Sequence, residues 1–199
     1  MGATLTFRSP VGRPLTIAIG GAGVLLVGYA AVVDGPVALW QAGPTAALVL
    51  ALVWALFWAP QVQVADGGIT VVNILRTAHV PWPEFTEAET RWSLQIKAAD
   101  LAVTAWAVPA SSGTGTRLTA RRRRAAEEPL VAGRGATGPT GHGAEAAALA
   151  IADRHRALTE AGHLAGARRG VLPATIRWNH PQVVLLPATA ALALASWLT

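Results

Sequence analysis

The chain has 199 residues, 52% hydrophobic and only 14% charged, against roughly a quarter charged in ordinary soluble domains. Its 16 basic residues outnumber 11 acidic ones, for a formal charge of +5, and it has no cysteine, which excludes disulfides and thiolate-bound metals. All the bases but Lys97 are Arg, and with abundant Ala this points to a GC-rich bacterial genome.

Three apolar runs without a charge set the class of the molecule. Pro14–Val33 covers 20 residues, Gly35–Ala65 covers 31 with its densest part at Thr45–Ala59, and Pro181–Thr199 covers 19. A helix rises about 1.5 Å per residue, so roughly 20 residues cross a hydrocarbon core about 30 Å thick. The expectation is an integral membrane protein with helices over about 14–33, 45–59 and 181–199. The second span is the shortest, because Pro44 is expected to kink any helix starting nearer Val37. A signal peptide is the alternative for the first run, given its basic start and the small residues near Tyr29-Ala30-Ala31. Its length and the lack of an Ala-x-Ala site argue against that.

Charge gives a direction. Arg8 and Arg13 precede the first run, Asp34–Pro44 contains no base, and 14 of the 16 bases lie between Pro60 and His180. Bases in short loops resist translocation, so the N-terminus and central region are expected in the cytoplasm and the C-terminus outside the plasma membrane. Trp40, Trp54, Trp58, Trp178 and Trp197 lie in or beside the runs, as indoles at a lipid–water boundary do. Gly20, Gly21 and Gly23 suit close helix approach, although their spacing is not Gly-x-x-x-Gly.

After Pro60 the pattern changes to alternation. Gln61–Val64 reads as a half-buried strand, and Asp66-Gly67-Gly68 as a tight turn. Ile69–Val72, Leu75–Val80, Ser93–Ala98 and Leu101–Val108 read as further strands. Five or six short strands with hairpin-length connections predict a small antiparallel sheet or partly open barrel over 60–109. Residues 110–143 are rich in Gly, Ser, Thr, Pro and Arg and are expected to be disordered. From Ala144 to Gly162, Ala148, Ile151, His155 and Leu158 recur at helical spacing, and Gly162 is a candidate C-cap. That helix is expected to close over the sheet, followed by a basic linker over 163–180. The fold class is α+β: transmembrane helices plus a small antiparallel sheet capped by a helix.

Asp66-Gly67-Gly68-Ile69-Thr70-Val71-Val72-Asn73, then Leu75-Arg76, then Val80-Pro81-Trp82-Pro83-Glu84-Phe85 resembles the PH-like domain family of actinobacterial membrane proteins, which includes low-molecular-weight antigens. The resemblance covers about Pro60–Pro109 and possibly the later helix. It implies a PH-like fold of strands capped by a C-terminal helix, and no enzyme activity. Gly67, Gly68, Asn73, Arg76, Pro81 and Trp82 carry it, in roles that read as structural.

Candidate sites are few. Arg121-Arg122-Arg123-Arg124 lies in a segment carrying six Arg against Glu127 and Glu128. It could contact anionic phospholipid or an acidic partner, or simply be a solvated loop that keeps the segment inside. Nucleic acid is disfavoured, for want of an aromatic stacking platform nearby. Trp82, Trp92 and Trp106 read as anchors of a small core. The five histidines show no metal-ligand spacing, and no cofactor motif is present. Glu84, Glu87 and Glu89 cluster without a partner nucleophile, and the serines lack an elbow motif. The expected function is therefore binding: scaffolding or regulating a membrane complex through an unidentified membrane or cytoplasmic protein. Sensing of anionic phospholipid is the alternative, and a small-molecule enzyme the remote one.

Overall fold

A computed structural model describes residues 3–109, 143–166 and 172–199. Three helices in it are long and apolar enough to cross a membrane: Gly12–Val33, Pro36–Trp58 and His180–Leu198, of 22, 23 and 19 residues. The first is α1. The second comprises α2, Pro36–Val53, and a π-helical turn, Trp54–Trp58. It continues through Pro44, where the sequence suggested a kink. A proline removes one backbone donor, a loss that neighbouring helices in a bundle can accommodate. At about 34 Å the second helix is thus no shorter than the bilayer core.

α2 packs against both α1 and the C-terminal helix. Two indoles fasten the far end: Trp40 Nε1 donates to Thr199 Oγ1 at 2.9 Å, and Trp197 Nε1 to Thr45 Oγ1 at 3.0 Å. At the near end Gly12 lies against the Phe57 carbonyl so closely that a Cβ there would overlap it. Among the small residues of α1, Gly20 approaches Leu50, whereas Gly21 and Gly23 face open space.

The extramembrane part is two antiparallel sheets and a helix. One sheet has the order β1-β2-β3-β4-β8, with β1 Leu5–Phe7, β2 Gln61–Ala65, β3 Gly68–Val72, β4 Arg76–Pro81 and β8 Thr175–Trp178. The other is β5-β6-β7, with β5 Phe85–Glu89, β6 Ser93–Ala98 and β7 Ala102–Pro109. A 3-10 turn, Trp82–Glu84, joins them. Helix α3, Ala144–Glu160, lies across β2, β5, β6 and β7. The C-terminal helix, His180–Leu198, is α4.

The alternation read from sequence is what builds the core. Val62 and Val64 of β2, Ile69 and Val71 of β3, and Leu94 and Ile96 of β6 are all fully buried, each two residues from the next on its strand. The β2–β3 hairpin pairs Ala65 with Gly68. Gly68 has φ +146° and sits against the Val80 carbonyl, with Pro81 Cα 2.9 Å from where a Cβ would be. Only glycine meets both demands.

Three strands, β1, β5 and β8, escaped the sequence reading. β1 is three residues long and precedes the first span, so it shows no period. β8 falls in the expected basic linker, and its four residues are all exposed, which hides any alternation. Along α3 the apolar positions noted in the sequence, Ala148, Ile151 and Leu158, pack against the core, but the small residues beside them are the more deeply buried. Ala144, Ala147, Ala150 and Ile151 are buried, while Ala148, His155 and Leu158 are only half-buried. Small residues hold the helix close to the sheet, where side-chain size rather than hydropathy decides the fit.

Trp92 and Trp106 are not core anchors. Trp106 is 56% exposed, because it alternates along β7 with the buried Ala105 and Ala107. Trp92 is 83% exposed, between β5 and β6. Trp82 is buried at 2%, and its Nε1 donates to the Ala65 carbonyl at 2.9 Å.

Candidate functional site

Chain order places β5 at one edge of its sheet, paired only with β6 among the described residues. α3 runs beside that edge. Between them lies an open cleft of about 610 Å³, walled by Phe85 and Ala88 of β5 and by Ala148, Ala152 and His155 of α3. Its floor is held by rings: His155 lies 5.3 Å from Phe85 and 5.9 Å from Trp82, and Trp82 meets Phe85 edge-on at 5.9 Å. Glu87, Arg156, Thr159 and Glu160 complete the lining, so the cleft is apolar within and carries both charge signs among its lining groups. A bulge between Phe85 and Glu87 breaks the β5–β6 register at one end of the edge.

The outer face of β5–β6 is pinned by Lys97, which bridges Glu87 and Glu89. The hydrogen bond that Lys97 donates to Glu89 holds its ammonium above the ordinary lysine value; desolvation opposes this, and the charges of Glu89 and Glu87 add smaller upward contributions.

A second group of residues joins the domain to the spans. The Asn73 side chain donates to Thr104 O at 2.8 Å and accepts from the Trp106 backbone N–H at 2.9 Å. Asn179, just before α4, donates to Asn73 O at 2.8 Å and accepts from Thr77 Oγ1 at 2.6 Å. Trp106 Nε1 reaches Leu56 O in the π turn at 3.0 Å. The Arg76 guanidinium lies 4.3 Å over the Trp178 ring, and that of Arg13 5.1 Å over Trp58. The domain is thus fastened to the near ends of the second and C-terminal long helices, and Arg13 over Trp58 ties the first to the second.

The sequence-derived motif residues separate by role. Gly67 and Gly68 form the β2–β3 turn, Pro81 and Trp82 turn the chain between sheets, and Asn73 and Arg76 serve the junction. None of them lines the cleft. Arg121, Arg122, Arg123 and Arg124 lie outside the described residues. Ala88, Ala152 and His155 were not singled out as a site, since two alanines and a histidine on a helix face carry no spacing signal. Asn179 and Trp106 were missed as junction residues for the same reason. No cluster able to hold a metal occurs among the described residues. A larger cleft of about 1010 Å³ between α1 and α2 is apolar apart from a few groups such as Asp34 and Gln41, and assembles no reactive set.

Residues 59–139 match the Bacterial PH domain family. No curated protein and no solved structure matches the chain significantly. The bacterial PH domain match begins at the end of the π turn and takes in β2 through β7. Outside it lie β1, α3, β8 and the three long helices, and with them much of the junction and the helical wall of the cleft. PH domains are in general binding modules. The α+β architecture, with two antiparallel sheets and a capping helix, agrees with a PH-like fold.

Proposed function

We propose that the protein is a multi-pass plasma-membrane adaptor whose PH-like domain faces the cytoplasm and docks an extended segment of a partner protein beside β5. The observation that carries this reading is the pairing of an edge strand with an adjacent apolar cleft. An edge strand offers a row of unpaired backbone N–H and C=O groups, and a peptide that adds to it gains main-chain hydrogen bonds. The cleft then receives alternate side chains, with Phe85, Ala88 and Ala152 favouring an apolar one. Cytoplasmic placement rests on the distribution of Arg around the spans. Electrostatic contact of Arg121–Arg124 with anionic lipid is the second reading, supported by that charge run alone.

The test uses the full-length protein in its native membrane, with a photo-crosslinking residue in place of Ala88. A discrete protein adduct is expected, and Ala152→Arg should reduce it about tenfold by filling the cleft at no helical cost, on the scale of one lost interface anchor. An adduct unaffected by Ala152→Arg, or the absence of any protein adduct, contradicts the docking reading.

A further inference from the structure

Between β1 and α1 the chain makes a short loop at the near end of the first long helix, and two arginines border it. Arg8 and Arg13, with Thr6, Ser9 and Pro10, wall an open cleft of about 530 Å³. Among the described residues the lining carries two positive charges and no carboxylate. Among the described residues, neither arginine lies in an ion pair.

Both guanidiniums are oriented by neutral groups. Arg8 grips the Gln61 side-chain oxygen through Nε and Nη2, which leaves its Nη1 amino group for another acceptor. Arg13 is laid over the Trp58 ring, which supports its planar face and leaves its edge donors available. Thr6 and Ser9 add hydroxyl donors to the wall. Two forked cations held on one cleft without an acid suit a group with several charged oxygens, and phosphate is the anion whose geometry guanidinium matches.

We propose that this cleft binds the phosphodiester of an anionic glycerophospholipid from the adjoining leaflet. Its position favours a lipid over a soluble anion. Arg13 is in the first turn of a helix apolar enough to cross the membrane, and Trp58 ends another, so the cleft sits at head-group depth. Val11, next to the cleft, is 64% exposed, which suits the glycerol and first methylenes of a lipid. The site shares no residue with the β5–α3 cleft or with the Arg121–Arg124 run, and stands whether or not either binds a partner.

Native mass spectrometry of the full-length protein from detergent tests it, with phosphatidylglycerol, diacylglycerol or inorganic phosphate added. A single phosphatidylglycerol should stay bound, diacylglycerol should not, and excess inorganic phosphate should not displace the lipid. The double variant Arg8→Gln, Arg13→Gln should lower retention on the order of tenfold. A phosphatidylglycerol with a head-group diazirine gives a readout on the unaltered protein, and its label should fall within residues 5–15. Displacement by inorganic phosphate would make this a soluble-anion site and overturn the lipid assignment. Equal retention of diacylglycerol, unchanged retention by the double variant, or label confined elsewhere overturns the site itself.

Discussion

Asn73 joins the two sheets with a single amide, donating to Thr104 O and accepting from the Trp106 N–H. Asn73→Ala would leave both β7 groups to water, at a cost of about 0.5–1.5 kcal/mol. A lowered melting temperature of the full chain in detergent checks this, with Asn73→Asp intermediate because it keeps only the acceptor. Lys97 gives a pH-dependent prediction. Its folded-state value is raised, so its contribution is complete below the ordinary lysine range and is lost as pH rises through the folded-state value. The stability difference between the natural protein and Lys97→Met should be flat across neutral pH and shrink in strong alkali. At this scale the sequence showed Gly68 and Trp82 clearly, because a turn glycine and a tryptophan between prolines have few alternative uses. Asn73 stood out only as part of a resemblance. Its two bonds reach residues more than 30 positions away, which no local pattern encodes.

Elements were legible in proportion to their length and to how one-sided their burial is. α1 and α4 announce themselves by uninterrupted apolar residues, and β2, β3 and β6 by strict alternation. β5 did not, since its Phe-Thr-Glu-Ala-Glu sequence has one large apolar residue and leans on a helix rather than on a second sheet. The cleft therefore became visible only once α3 was placed beside that strand. Trp106 illustrates the opposite error, a bulky residue assigned to the interior when strand parity puts it outside. There it links β7 to the π turn, which yields an element-scale prediction. Trp106→Phe should leave the core intact and change global stability by about 1 kcal/mol or less. Amide exchange over Trp54–Trp58 should nevertheless quicken, because the Leu56 carbonyl loses its partner.

The whole molecule is a small sandwich set on three long helices, with no free linker between β1 and α1, the π turn and β2, or β8 and α4 longer than a few residues. Short connections and the Asn179, Arg76 and Trp106 contacts mean that the domain moves with its helices, so any partner on the β5 edge is held at the membrane surface. The same layout puts the Asp34-Gly35 connection and the chain end at Thr199 together, opposite the domain. Because the chain has no cysteine, single cysteines can report each side without background. The decisive measurement is labelling of Asp34→Cys, Asp100→Cys and Thr199→Cys in sealed vesicles with a maleimide that does not cross membranes. Positions 34 and 199 should react from one side and position 100 only from the other. Labelling of all three from the same side would contradict a three-span protein carrying its PH-like domain on one face of the bilayer.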